Sequence, residues 1–578
     1  MKLSVLALDY DGTIASDGRM HPDVRAAIGD ARRQGVAVAL VTGRRVSDLR
    51  RAVGDLDCFD VVVAENGAVL EFPASGRHVL LTHPPSGAFV EELRRRGVQL
   101  DVGEVVVGAD ARFAPTALEV LRTLEQPLTL VFNRGSLMIL PQAVSKSTGL
   151  RQALASLRLS IHNAIGIGDA ENDHDLLDAC EVGVAVGWGS AALRAIADDV
   201  IDGTGPAAVA TYVRQVLRHP RLSAAQMGRR RLLLGHQLDG SPLDLAVRGR
   251  TILIAGEPGT GKSWLAGLLC EQLILQGYCL CVIDPEGDYR TLEALPGVIA
   301  LGGDDPPPGA REITKALRHP DVSIVIDLSK MSHREKGDYL STLLPLLMTL
   351  RRQTGLPHKI VIDEAHYFLT GPGCERLIDP DLESYIFVTY RVSSLAESVR
   401  KTEDAVVLVT READAQEAET LLAMCRSKTS RKIGAGVFRD LATNEAALLP
   451  GSAEACGEVV RFRVARRLTS HVRHQAKYLD MPVLEHHAFV FQDSGWSGPR
   501  ARSLKEFIGL LAALPPERLR GHLERRDFSR WIAGVFRDHP LAAHIGALEQ
   551  RAAVEDARDV AADIAQAIRA RYDTAQGR

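Results

Sequence analysis

The chain lacks the marks of several protein classes. Its 578 residues hold eight cysteines, at positions 58, 180, 270, 279, 281, 374, 425 and 456, and no C-x-x-C pair. Scattered single thiols form neither a disulfide framework nor a zinc-site spacing, and such usage suits a reducing cytosol. Cys279 and Cys281 lie in an apolar run and read as one strand's core or edge. No apolar run reaches the roughly 20 residues needed to span a bilayer. No signal pattern precedes Asp9, so a cytoplasmic protein with no membrane partner is expected. Internal repeats and long low-complexity tracts are absent. A net charge of −4 speaks against nucleic-acid binding by overall charge, so any such contact must come from a local basic patch. At roughly 100–200 residues per domain, three domains are expected.

What is present is clearest at mid-chain. The apolar run Thr251–Ala255 leads into Gly256, Glu257, Pro258, Gly259, Thr260, Gly261, Lys262 and Ser263, and then into a helix-like apolar stretch over 264–270. The spacing G-x-x-x-x-G-K-[ST] between strand and helix is that of a phosphate-binding loop. Glycines let consecutive N–H groups curl around an anion, and the helix N-terminus points at the same charge. Lys262 is expected on the β- and γ-phosphates of ATP, and Ser263 on Mg²⁺.

A different chemistry occupies the first 215 residues. An apolar strand delivers Asp9 and Asp11, followed by Gly12 and Thr13. A second buried run, 38–41, ends in Thr42, Gly43 and Arg44. Lys146 opens an expected helix, and a further run, 165–168, ends in Asp169, Asn172 and Asp173. Strand ends that gather acids, a hydroxyl and a lysine suit an Mg²⁺-phosphate site: hard oxygens for the metal and donors for a phosphoryl group.

These stretches, DYDGT, VTGR, the lone Lys146 and GDAEND, resemble the four motifs of the haloacid dehalogenase superfamily, in the order of its Cof-type or sugar-phosphatase branch. The resemblance implies a Rossmann-like phosphohydrolase. Asp9 would attack phosphorus and form an aspartyl-phosphate. Asp11 would protonate the leaving alkoxide and then activate water. Thr42 and Lys146 would hold the phosphoryl oxygens. Asp9, the Asp11 carbonyl and Asp169 would bind Mg²⁺, with Asp173 supporting that site. A cap, here about 82–141 and short for this type, would set the substrate, a phosphosugar-like or other small phosphomonoester. Glu65–Ala68 and the alternating run 69–72 resemble the core hairpin that leads into it. Within the cap, Arg94, Arg95 and Arg96 read as a solvated helix face, the alternative being steering of an anionic substrate.

This first domain is expected to end at 218. Residues 219–231, with the basic Arg229, Arg230 and Arg231, read as a linker, or as a polyphosphate or nucleic-acid contact. Over 232–470, three apolar runs end in Asp284, Asp327 and Asp363, which implies a parallel sheet with its active edge at the strand C-termini. Asp363 with Glu364 is the preferred metal-linked pair: the first reaches Mg²⁺ through water, and the second polarises an attacking water. Asp327 has no acid beside it and reads as a structural strand end. The series GEPGTGKS, VIDPEGDY, VIDLS and VIDEAH resembles the HerA/FtsK-type ATPases over about 232–468. That resemblance implies ATP hydrolysis, homo-oligomeric rings that are often hexameric and pump DNA, and an arginine supplied by a neighbour, with Arg391 and Arg400 both candidates. A polar sensor would fall at 390–394.

Beyond lies a basic cluster, Arg461, Arg463, Arg466, Arg467, His471, Arg473, His474 and Lys477. It reads as phosphate-backbone contact or as a charged edge strand. Leu504, Phe507, Ile508 and Leu511, and again Phe528, Trp531, Ile532 and Val535, recur at helical spacing, so 471–578 is expected to be a small helical domain. The fold class is thus a multidomain α/β protein: Rossmann-like core with a small cap, P-loop parallel sheet, helical tail. Its expected function is that of a bifunctional phosphatase and ATPase. The alternatives are a ring-forming nucleic-acid translocase with an end-trimming phosphatase, and a kinase–phosphatase pair acting on one substrate.

Overall fold

The computed structural model describes residues 2–133, 135–218, 229–247, 251–257, 260–370, 373–379, 384–400, 406–409, 415–426, 441–442, 444–449, 458–469, 483, 487–493, 496–536 and 539–572. The chain divides into two compact units, one of Met1–Pro285 with Tyr289–Ser470, the other of Glu286–Asp288 with His471–Arg578.

The first unit holds two large sheets. In the N-terminal sheet the strand order is Asp199–Ile201, Val182–Val186, Ala164–Gly168, Val5–Leu8, Ala37–Val41, Val61–Ala64, Val69–Phe72, Arg77–Leu80. The first six are parallel and the last two close as antiparallel strands. Alternate side chains enter two different cores. Leu6, Leu8, Val38 and Leu40 go to one face, and Val5, Ala7, Ala39 and Val41 to the other. A sheet covered on both faces needs such apolar runs, as parallel strands do generally. The chain runs outward from Val5–Leu8 in one direction and returns on its other side at Ala164–Gly168. That makes the gap between these two strands the topological switch point, where sheets of this kind open a crevice at their carboxyl ends.

Between the hairpin and Lys146 the chain builds a separate small layer. It has helices Gly87–Arg95 and Ala114–Thr123 and an antiparallel sheet ordered Leu128–Asn133, Ser136–Pro141, Val107–Asp110, Asp101–Val102. Phe89, Leu93, Val120 and Ile139 form its own core. It occupies the stretch where a cap over 82–141 is expected.

The second sheet has eleven strands. Seven are parallel, ordered Val406–Val409, Ile252–Ala255, Tyr385–Thr389, Lys359–Ile362, Leu280–Asp284, Ser323–Asp327, Val298–Gly302. Four antiparallel strands extend it: Glu445–Leu448, Val460–Val464, Arg231–Gln237 and Pro242–Ala246. The sheet is therefore mixed. Period-two strands with polar outer residues, such as 460–464, carry no apolar run and could not be placed in it from sequence.

The two sheets meet at the ends where their strands begin. His162, just before Ala164–Gly168, stacks on Tyr278, just before Leu280–Asp284, with ring centroids 3.9 Å apart. Tyr278 donates its hydroxyl to Glu181 at 2.9 Å. His162 Nδ1 lies 3.0 Å from the same carboxylate, and its Nε2 lies 3.0 Å from the Gln276 carbonyl. Both ring nitrogens thus face acceptors, and a neutral imidazole has one N–H. Burial pulls the His162 pKa down and Glu181 opposes that pull.

Two of the arginines read as linker belong to this joint. Arg229 pairs with Asp198 at 2.7 Å and donates to the Leu177 carbonyl, and Arg230 donates to the carbonyls of Asp178 and Ala179. They cap the C-terminal end of helix His174–Ala179, whose last carbonyls have no intrahelical partners. Arg231 begins a strand of the second sheet. Residues 219–228 lie outside the described residues.

The second unit is not wholly helical. An antiparallel pair, Phe489–Asp493 and Trp496–Ala501, precedes helices Leu504–Ala513, Pro516–Glu524, Asp527–Trp531, His539–Arg551 and Ala557–Tyr572. Leu504, Phe507, Ile508, Leu511, Phe528 and Ile532 are buried together, as their spacing implies.

Helix Lys146–Ser156 presses against the turn Glu65–Gly67. A Cβ on Gly149 would lie 2.5 Å from the Gly67 carbonyl oxygen. Gly149→Ala is expected to cost about 3 kcal/mol, the upper range for overpacking a rigid contact. Gly29→Ala, on a helix whose Cβ would meet only the Arg33 side chain at 3.8 Å, should stabilise by about 0.5–1 kcal/mol. Urea unfolding of the two variants checks both signs.

Candidate active sites

The N-terminal site lies at the switch point. Asp9 follows Val5–Leu8, Asp169 follows Ala164–Gly168, and Thr42 follows Ala37–Val41. Asp173 sits one short turn beyond Asp169, and its Oδ2 accepts from the N–H groups of Asp169 and Ala170 at 3.0 and 3.1 Å. One oxygen each of Asp9, Asp169 and Asp173 lies within 4.8 Å of the others, all three residues being buried. Lys146, 1% exposed, comes in from the first turn of its helix and donates to Asp9 at 2.6 Å and also to Asp173. Ser145 caps that helix with its side chain. Burial opposes the charge on Lys146, but Asp173 and Asp9 outweigh it and raise its pKa. Burial, then the nearness of Asp173, pushes the Asp9 carboxyl well above the usual carboxylate range. Three buried carboxylates against one lysine leave negative charge in excess. This donor set of hard oxygens fits a divalent cation.

Thr42 is buried, and its hydroxyl accepts from the Arg44 N–H at 3.2 Å. Asp11 does not join the buried cluster. Its side chain is half exposed and takes a two-pronged ion pair from Arg44, at 2.7 and 2.6 Å. The Asp11–Gly12 turn is held by Trp188, whose Nε1 donates to the Gly12 carbonyl at 2.7 Å.

A cavity of about 780 Å³ opens between this site and the cap. Asp9, Thr42 and Asp169 form its floor, and Leu100, Arg112 and Phe113 come from the cap. Arg45, Glu65 and Asn172 also line it and were not foreseen as site residues. Arg45 and Asn172 stand beside expected residues in the chain, which is the signal that could have found them. The helix face of Arg94, Arg95 and Arg96 pairs with Glu91, Glu92 and Glu119. It is the solvated face expected, and none of the three lines the cavity.

The second site forms around Ile252–Ala255 and helix Lys262–Leu275. Pro258 and Gly259 lie outside the described residues. Gly261 caps the helix at φ 99, a left-handed backbone suited to glycine. Lys262 folds back, its Nζ 3.0 Å from the Glu257 carbonyl, and Thr260 donates to the same oxygen at 2.6 Å. Gly256 follows the strand. Ser263 Oγ lies 3.4 Å from Asp363 Oδ2. Asp363 and Glu364 are buried, and Glu364 sits at φ 47. Its carboxylate lies 3.5 Å from His366 Nδ1. Asp327 ends a strand four places from the P-loop strand, and its carboxylate accepts from the Ser329 N–H at 2.9 Å.

Between the P-loop strand and the Asp363 strand runs Tyr385–Thr389, whose last residue, buried Thr389, lies 3.1 Å from His366 Nδ1. The polar residue at that strand end is Thr389, one position before the stretch 390–394. Arg391 lies over the Tyr390 ring at 5.4 Å, and Arg400 donates to the Leu395 carbonyl at 3.0 Å.

The basic cluster near 461–477 is partly spent inside the protein. Arg467 is buried against Glu271 at 2.9 Å, and Arg461 pairs with Glu445 at 2.7 Å. An arginine whose side chain has no exposed surface cannot meet a phosphate backbone, so Arg467 drops out of that reading. His471, Arg473, His474 and Lys477 lie outside the described residues.

Residues 6–122 and 121–213 match the family model described as haloacid dehalogenase-like hydrolase, and residues 234–353 match that described as helicase HerA, central domain. The phosphoglycolate phosphatase of Methanopyrus kandleri is 28% identical over 232 residues, covering 37% of this chain and 97% of that protein. That of Natronomonas pharaonis is 29% identical over 212 residues, covering 34% and 91%. Among solved structures, a haloacid dehalogenase-like hydrolase from B. subtilis is 18% identical with a TM-score of 0.33, covering 37% of this chain and 100% of that one. No helix among the described residues is long and apolar enough to cross a membrane.

Two outcomes are expected of this geometry. Lys146→Met leaves three buried carboxylates uncompensated and should cost about 3–5 kcal/mol. Millimolar Mg²⁺ should restore part of that loss, as read by urea unfolding with and without the cation. His78 lies between Glu71 at 2.8 Å and Glu104 at 2.9 Å, with Arg50 also on Glu71. The hydrogen bond to Glu71 raises its pKa despite partial burial, with Glu104 adding to the rise. A raised folded pKa means stability that is full below the unfolded value and lost as pH climbs through the folded one. The difference in melting temperature between wild type and His78→Ala should therefore shrink as pH rises past the ordinary histidine range.

Proposed function

Because the chain joins a haloacid dehalogenase-like hydrolase module to a HerA-type central domain, we propose that it is a cytoplasmic bifunctional hydrolase: a phosphatase for small phosphomonoesters and an ATPase, over 1–218 and 232–470. The observation that carries the first half is the buried set Asp9, Asp169 and Asp173 around Lys146, beneath a roofed cavity. Asp9 Oδ attacks phosphorus while the bond from phosphorus to the leaving oxygen breaks, and Asp11 gives that oxygen its proton. Water then attacks the aspartyl-phosphate, loses its proton to Asp11, and the bond to Asp9 breaks to release inorganic phosphate. Thr42 and Lys146 hold the phosphoryl oxygens. Asp9, Asp169 and the Asp11 carbonyl would hold Mg²⁺, with Asp173 behind them, and the cation offsets the repulsion between carboxylate and phosphate. Asp11 must leave Arg44 to do its work, so the paired arrangement reads as the resting one. A small acid such as 2-phosphoglycolate suits the names of the relatives and the cap's Arg112 in the cavity lining.

In the second half the loop Gly256–Ser263 binds the triphosphate, Lys262 turns from Glu257 onto the phosphates, and Ser263 with Asp363 serves Mg²⁺. Glu364 polarises the attacking water. The carrying observation is the approach of Ser263 to Asp363. Each centre lies at the far end of its sheet from the His162–Tyr278 joint. At ~3.3 Å per residue, six or seven residues of strand put each roughly 20 Å from it. That separation disfavours one substrate shuttling between the two, as a kinase–phosphatase pair would need. A second reading, a homo-oligomeric ring that moves nucleic acid, is favoured by the match of residues 234–353.

Asp9→Asn is expected to abolish release of phosphate from a panel of small phosphomonoesters and to leave ATP turnover unchanged. Glu364→Gln should cut ATP turnover at least ~100-fold, in keeping with loss of a general base, and spare the phosphatase. Stimulation of ATP turnover by DNA or RNA, lost in Lys262→Ala, would support the ring. Its absence, with a monomeric mass in the presence of ATP, would sink it.

A further inference from the structure

Glu65 has no part in the reaction above, yet it is one of the most committed side chains in the molecule. It follows strand Val61–Ala64, its backbone takes φ 48, and it is 1% exposed. Its two oxygens accept three backbone N–H groups: Glu104 at 2.9 Å, Val105 at 2.8 Å and Val106 at 2.9 Å. All three donors belong to the cap, in the bend between Asp101–Val102 and Val107–Asp110. A buried carboxylate that gathers three amides is held firmly, because losing it would strand three donors away from water.

The surrounding contacts repeat the bond between the layers. Arg45 donates to the Val102 carbonyl at 3.2 Å and pairs with Asp101 at 2.8 Å. Val105 and Val106 bury their side chains in the main core of the phosphatase module instead of the cap's own. A Cβ on Gly103 would lie 2.6 Å from the Glu65 carboxylate, so the bend passes too close for any other residue. Glu65, Gly103 and Val106 also line the cavity above Asp9. The carboxylate therefore sets the height of the roof that carries Leu100, Arg112 and Phe113.

Resting on the phosphatase reading, we infer that Glu65 is a specificity-determining positioning residue. It clasps the cap over Asp9 so that the cavity admits only phosphomonoesters with a small organic part. Removing the clasp leaves the reacting groups intact and lets the roof move, so small substrates lose their upper contacts and bulky ones gain entry.

The test uses the full chain and three variants, Glu65→Ala, Glu65→Gln and Gly103→Ala. The last attacks the clasp from the cap side. Hydrogen exchange at the Glu104, Val105 and Val106 amides reads the clasp without reference to activity. These amides should be protected in wild type and exchange at least tenfold faster in Glu65→Ala and Gly103→Ala, with Glu65→Gln in between. In parallel, the ratio of kcat/KM for 2-phosphoglycolate to that for p-nitrophenyl phosphate should fall at least tenfold in the two disruptive variants, chiefly through KM for the small substrate. Glu65→Gln, which keeps one acceptor oxygen, should recover part of the ratio. Unchanged exchange in Glu65→Ala overturns the clasp. Faster exchange with an unchanged ratio overturns the specificity role. A wild-type protein that hydrolyses neither phosphomonoester overturns the phosphatase reading and with it the specificity claim, while the exchange result still decides the clasp.

Discussion

A parallel strand covered on both faces can present polar groups only where it ends. In this chain that constraint decides where chemistry goes. Strand interiors are apolar on both sides, so Asp9, Thr42 and Asp169 in one sheet and Thr389, Asp363 and Asp327 in the other all stand at carboxyl ends. Turns leaving those ends supply backbone N–H groups, and helices entering after them supply Lys146 and Lys262 in their first turns. Two unrelated arrangements of charge thus arise from one rule of sheet construction.

The same rule determines how the two sheets can share a body. With reactive edges at the carboxyl ends, the amino ends are free to be buried. They meet through His162, Tyr278 and Glu181, with Lys2 reaching the Arg352 carbonyl at 2.6 Å and Arg229 and Arg230 closing the edge. A joint made of a stacked ring pair, a buried histidine–carboxylate contact and a capped helix end is specific in geometry. It also consumes polar groups that would otherwise be stranded. Its consequence for function is distance: both sets of strand carboxyl ends lie away from the joint.

Charge balance shapes both centres. Around Asp9 the carboxylates outnumber the one buried cation, an imbalance suited to a bound divalent ion and a phosphate. At the P-loop Lys262 donates to a carbonyl within its own loop, a neutral group that an anion can displace. Arg44 on Asp11 has the same character, a half-exposed ion pair of modest worth that can open when a substrate arrives.

Much of this was legible in the residues. The loop Gly256–Ser263, the runs ending in Asp9, Thr42, Asp169 and Asp363, and the helical stripes at 504–511 and 528–535 follow from periodicity and turn chemistry. Those signals are local, and local signals survive in a sequence. Preference for Asp363 over Asp327 also came from neighbours in the chain. What the tertiary structure alone decided is pairing over long separations. Strand order placed Tyr385–Thr389 beside the P-loop strand and sent Asp327 four strands away. Packing turned Arg229, Arg230 and Arg467 from free charges into partners, the first two half-buried and the last buried. Glu65, read as part of a hairpin turn, became the anchor of the cap because its three donors lie about forty residues further on. No window of sequence contains both halves of such a contact, and its energy exists only once the chain has closed the loop between them.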